Sequence, residues 1–125
     1  MGNGTNAGSE AEGGVQEITV ALDVIDRTAV QPFWAAALGY ARRDAEHLYD
    51  PRGRGPVLYF QQLDRPRPQR NRVHLDVWLR RADVGPRMAA ALAAGGILVT
   101  DGHAPGWWVL ADREGNEVCI ATRDP

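Results

Sequence analysis

Val73-His74-Leu75-Asp76-Val77-Trp78-Leu79 alternates strictly: Val73, Leu75, Val77 and Leu79 share one side of an extended chain, and His74, Asp76 and Trp78 share the other. An earlier stretch, Val20-Ala21-Leu22-Asp23-Val24, repeats the order Val, Leu, Asp, Val, with Ala21 in the place of His74. Each stretch is followed by an apolar stripe of helical period. Val30, Phe33, Trp34, Ala37 and Leu38 form the first, and Val84, Met88, Ala91 and Leu92 the second. One constant offset lays Val30, Pro32, Ala37 and Leu38 on Val84, Pro86, Ala91 and Leu92. Two prolines at matching places in two helix starts point to an internal duplication, and a duplicated unit restricts the fold more than any other feature of the chain.

Strands complete each copy. The first has Tyr40–Ala45, His47–Tyr49 and Val57–Gln61, with Asp50-Pro51-Arg52-Gly53 as a turn. The second has Ile97–Thr100, Trp107–Ala111 and Glu117–Ala121, with Asp112-Arg113-Glu114-Gly115-Asn116 as the matching hairpin turn. Asp26 or Thr28 is expected to cap the first helix and Gly39 to end it, with Pro32 in or near its first turn; Gly95-Gly96 ends the second. The predicted class is α+β: two βαβββ repeats forming a curved, open, barrel-like sheet with helices on the convex side. Residues 1–15 read as a disordered leader and 16–125 as one domain, with repeat one at about 16–64, a Pro- and Arg-rich linker at 65–71 and repeat two at about 72–123.

With 125 residues the chain is long enough for one core and too short for two. A net charge of -2 supplies no basic field for nucleic acid, and no apolar run approaches a bilayer span. A lone cysteine, Cys119, excludes an internal disulfide and suits a cytoplasmic protein. Neither a phosphate-binding glycine loop nor a serine nucleophile motif occurs.

Three segments, Phe33-Trp34-Ala35-Ala36-Ala37-Leu38-Gly39, Asn71-Arg72-Val73-His74-Leu75-Asp76-Val77 and Ala111-Asp112-Arg113-Glu114-Gly115-Asn116-Glu117-Val118-Cys119, resemble the signatures of small bacterial glyoxalase-like domains. These belong to the vicinal oxygen chelate superfamily, with glyoxalase I, bleomycin-resistance proteins and extradiol dioxygenases. The resemblance implies two units curved around a cleft, and homodimers are common in the superfamily. Its metal enzymes take one ligand from the first strand and one from the last strand of each unit. Carried onto this chain, those places are Thr19 or Ala21, Gln61 or Tyr59, His74, and Cys119 with Glu117 two residues earlier. One imidazole among an amide or phenol, a thiol and a Thr or Ala makes a poor cage for zinc, nickel or iron, so no metal is expected and a divalent ion would involve His74 alone.

The expected ligand-contacting set is therefore His74, Tyr59, Gln61, Trp78, Trp108, Glu117 and Cys119, with His74 the candidate base; one of Trp107 and Trp108 must face the cleft because neighbours alternate. A neighbour such as Asp76 or a backbone carbonyl could equally satisfy a half-buried His74. Asp23 and Asp76 read as structural carboxylates, Cys119 as a small apolar filler, and His47 and His103 as surface residues in loop-like contexts. Three functions are compatible with this pattern. One is a metal-independent protein holding an aromatic or amphiphilic small molecule. The others are a metal-assisted glyoxalase-type enzyme using His74 with Glu117 or Gln61, and a protein-association module with a filled cleft. A homodimer without nucleic-acid or membrane partners is expected in each case.

Overall fold

Period-two alternation and two helical stripes are realised as two units in the computed structural model, which describes residues 14–66 and 73–124. Most of the expected leader and linker lies outside the described residues. The first unit runs β1 (Thr19–Val24), α1 (Arg27–Leu38), β2 (Ala41–Arg42), β3 (His47–Tyr49) and β4 (Val57–Gln62). The second runs β5 (Leu75–Trp78), α2 (Arg81–Ala93), β6 (Ile97–Thr100), β7 (Trp107–Ala111) and β8 (Glu117–Ala121). Their sheets have equivalent orders, β1-β4-β3-β2 and β5-β8-β7-β6, with the first strand of each unit parallel to its last and the remaining pairs antiparallel. This is the α+β, twice-repeated βαβββ architecture, and the sheets do not close. No described helix is long and apolar enough to cross a membrane.

Local chemistry sets the helix ends. The Asp26 carboxylate accepts from the Ala29 N–H at 3.1 Å, and Gly39 adopts φ 71°, the left-handed cap that a side chain would disfavour. Pro32 and Pro86 each stand sixth in their helix, in the second turn rather than the first. The carbonyls they leave without a donor belong to exposed Thr28 and Ala82, which softens the penalty. The strand at His74 is shorter than its alternation predicts. It is paired only from Leu75, so Val73 is 74% exposed instead of buried.

One core serves both units. Leu22, Val24, Leu58 and Phe60 from the first sheet, Leu110, Val118 and Ile120 from the second, and Val30, Phe33, Trp34, Ala37, Val84 and Ala91 from the helices belong to a single buried cluster. The helices pack against each other, and polar contacts fasten the seam. Arg87 Nη1 donates to the Ala37 carbonyl at 3.2 Å. The Glu114 carboxylate accepts from the Ile25 and Asp26 N–H groups at 2.6 and 2.7 Å, at the start of α1. Trp34 Nε1 donates to Asp112 Oδ2 at 2.9 Å. Asp112 is fully buried, and its carboxylate also accepts from the Glu114 and Asn116 N–H groups and from Asn116 Nδ2. Four donors around one buried carboxylate meet the condition under which such a group is tolerated.

Candidate functional site

Strand register sorts the side chains into rows. On the open face of the first sheet, His47, Tyr59 and Ala21 lie side by side across β3, β4 and β1, and Asp23 lies beside Gln61. On that of the second, Asp76, Cys119 and Val109 form one row and Trp78, Ala121 and Trp107 the next. Asp23 and Asp76 thus hold equivalent places, which makes Gln61 the counterpart of Cys119 and Ala21 that of His74. Both sheets turn their helix-covered sides toward the shared core, so their open faces point away from it. The expected site residues consequently divide: Tyr59 and Gln61 on one face; His74, Trp78, Glu117 and Cys119 on the other.

Trp108 joins neither face. It pairs with Ile120 and packs against the core, and the open side falls to Trp107, which is 43% exposed and stacked on His103 with ring centroids 4.4 Å apart. Trp78, 49% exposed, carries the Arg123 guanidinium 3.9 Å above its ring. His74 is exposed and precedes the first paired residue of β5, and among the described residues it has no hydrogen bond to Asp76 or to a carbonyl. Asp76 instead engages Cys119: burial first, then the Asp76 charge and hydrogen bond, push the Cys119 thiol up from its ordinary value. A thiol kept protonated is a weak nucleophile, in keeping with a filler role.

Between the units, at the free side of β5, lies a cavity of about 490 Å³. Leu38, Leu58, Leu75, Val77 and the Trp78 indole supply apolar wall; Tyr40, Asp50, Arg54 and Asp76 supply polar groups. The turn after β3 explains its rim. Asp50 accepts from the Arg52, Arg54 and Gly55 N–H groups at 2.9, 3.0 and 2.9 Å, which hold its carboxyl below the usual value. Asp112 makes the same turn in the second unit, accepting from residues two and four positions on. The two turns are repeats of each other, but their surroundings differ. Trp34 of α1 crosses the seam to Asp112, whereas the matching residue of α2 is Met88, whose side chain has no N–H to offer Asp50. Where one seam is bridged by an indole, the other leaves the cavity. Burial, then the Asp50 charge, raise the Tyr40 hydroxyl above its ordinary value, so it stays protonated. Arg54 has no ion-pair partner among the described residues.

From sequence the Asp112 segment reads as a turn within a family signature, without its role across the seam, and His47, at the head of a short strand, reads as a surface residue. The Asp-x-Glu-Gly-Asn spacing was the available signal for the first. Alternation with Leu48 was the signal for the second, since Leu48 is buried and His47 must face the other way.

The sequence pattern of the glyoxalase-like domain matches residues 19–121. The chain belongs to that family. Solved structures share its fold. A glyoxalase-related enzyme from Fulvimarina pelagi superimposes with a TM-score of 0.67 at 25% identity, over 87% of this chain and 89% of that one. A glyoxalase/bleomycin resistance protein/dioxygenase family enzyme from Burkholderia phytofirmans PsJN gives 0.65 at 18% identity, over 83% and 95%. Oxidase ChaP-H2 gives 0.63 at 17%, over 87% and 94%. No curated protein matches the sequence.

For a glyoxalase-like domain the question of a resident divalent metal is decided by donors. By register the first unit has Ala21 and Gln61 where the second has His74 and Cys119, and burial and Asp76 push the Cys119 thiol up. Among the described residues no three His, Cys, Asp or Glu side chains come together to hold an ion. The donor set of one chain does not fit the superfamily's four-ligand site.

Proposed function

We propose that this glyoxalase-like domain binds a small molecule with an aromatic or amphiphilic body in the cavity between its two units. The observation that supports the reading is the cavity itself. At about 490 Å³ it falls within the roughly 300–1,000 Å³ of small-molecule sites, and it combines a mostly apolar wall with a few polar groups. A flat apolar body would lie along Leu75, Val77 and the Trp78 edge. Its acceptor-rich head would meet the Tyr40 hydroxyl and the Arg54 guanidinium, since the Asp50 carboxylate is already engaged by backbone donors. His74, Glu117 and Cys119 fall outside this arrangement.

The test is a fluorescence titration with anilinonaphthalene sulfonate, an aromatic body bearing an anionic head. Saturable binding should weaken at least tenfold in Leu75→Trp, which fills the cavity, and in Arg54→Ala, while Trp107→Ala on the open face of sheet two binds as wild type. Binding that survives Leu75→Trp, or is lost in Trp107→Ala, places the ligand elsewhere.

Assembly as a homodimer is part of the proposal. Ile97, Leu98 and Val99 of β6, the edge strand of sheet two, are exposed, an apolar border that a second copy would cover. Sedimentation at micromolar concentration should give twice the chain mass. The free thiol of Cys119 supports a reducing, cytoplasmic setting.

A further inference from the structure

His47 carries a chemical arrangement that the cavity reading does not use. Its Nδ1 lies 2.8 Å from Asp44 Oδ1, and the same oxygen accepts from the Glu46 N–H at 2.8 Å. A carboxylate can only accept, so Nδ1 carries the proton and Nε2 of the neutral ring keeps its lone pair. Nε2 has no partner among the described residues. The imidazole sits on the open face of sheet one with its ring 5.1 Å from that of Tyr59, in the row that ends at the small Ala21.

The segment beneath the imidazole is pinned from several sides. Gln31, itself buried, donates to the Ala45 carbonyl; Arg27 Nη1 pairs with Glu46 Oε2 at 2.7 Å; the Phe60 N–H donates to the Glu46 carbonyl, and the Arg43 N–H to that of His47. A base held by a carboxylate, on a segment that cannot easily move, with an aromatic ring beside it, is arranged for proton transfer.

We propose that His47 is a general base, positioned by Asp44, that removes a proton from a planar carbon acid lying on the open face of sheet one against the His47 and Tyr59 rings. In the step, the substrate C–H proton passes to Nε2 and the bond's electron pair moves into the substrate. The imidazolium then releases its proton to water. No oxidant or metal is needed for this balance.

Nitrobenzisoxazole is a suitable probe. Loss of its ring C–H proton forms a nitrile as the N–O bond breaks and releases a coloured cyanonitrophenolate. The protein should speed this elimination above buffer with an equal concentration of imidazole. His47→Ala and the shape-preserving His47→Gln should each lose at least tenfold in kcat/KM, and His74→Ala and His103→Ala should retain wild-type values. Asp44→Asn should lower kcat with little change in KM. Nitrogen NMR should show the His47 Nδ1–H tautomer in wild type and its loss in Asp44→Asn. The pH profile is to be read with Asp44, Glu17, Arg43 and Tyr59 as the titratable and charged groups facing the ring. Undiminished elimination in a folded His47→Gln, an equal loss in His74→Ala, no rate above the imidazole control, or an Nε2–H tautomer in wild type would overturn the proposal. Leu75→Trp leaves this site untouched, so failure of the cavity reading and failure of this one are separable.

Discussion

Replacing Asp112 by Asn changes one atom at the point where the two units are fastened. The amide keeps the size of the carboxylate and can still accept from the Glu114 and Asn116 N–H groups through its oxygen. Its NH₂ then faces the Trp34 indole N–H and Asn116 Nδ2, donor against donor, where the carboxylate accepted at 2.9 and 3.0 Å. Each buried donor left without an acceptor costs roughly 1–3 kcal/mol, and relief from burying a charge returns part of that. The expected loss is about 3 kcal/mol. For a domain of this length that lowers the melting temperature by about 10 °C. Urea unfolding followed by far-ultraviolet circular dichroism measures it. Trp34→Phe removes the opposing indole donor, so the penalty of Asp112→Asn in that background should shrink by at least ~1 kcal/mol. An Asp112→Asn protein within ~1 kcal/mol of wild type, or two substitutions that add independently, would refute the seam as drawn.

Cys119 should be alkylated by iodoacetamide at least tenfold more slowly in the folded protein than in urea at pH 8, and Asp76→Asn should speed it. Because the folded thiol titrates above its unfolded value of ~8.5, the protein should lose stability as pH rises past that value toward the folded one; equal alkylation rates would remove the Asp76 contact. Gly96→Ala would place its methyl 2.5 Å from Phe33 Cε1 and 2.8 Å from the Ala91 carbonyl, costing ~1–3 kcal/mol, whereas at Gly85, mid-helix with nothing near its Cβ position, Ala should stabilise by ~0.5–1 kcal/mol. A reversed order of melting temperatures would contradict the helix packing.

The duplication was legible because it is written in local chemistry. Alternation gave the strands, Asp26 and Gly39 the ends of α1, and Pro32 with Pro86 the offset between copies. What alternation cannot report is how many residues of a pattern find a partner strand: β5 is paired only from Leu75, so Val73 and His74 lie beyond it. It also fixes that Trp107 and Trp108 face opposite ways without saying which way is inward, and packing on Ile120 and the core decides that. Asp112 and the cavity were illegible for a related reason. Both arise from contacts between the copies, Trp34 on one seam and Met88 on the other, and no spacing within one copy encodes them. The pairing of His47 with Asp44 was within reach of sequence, three residues apart at the start of a strand, but its open-face placement required the burial of Leu48.

A ligand is proposed to enter where the two units fail to bridge. Amide chemical-shift mapping of the full chain with anilinonaphthalene sulfonate tests this most directly. The shifts should gather at Tyr40, Gly55 and Leu75–Trp78, the lining of the cavity. Shifts confined to Ile97–Val99 or to Glu117–Ala121, with those residues unmoved, would contradict it.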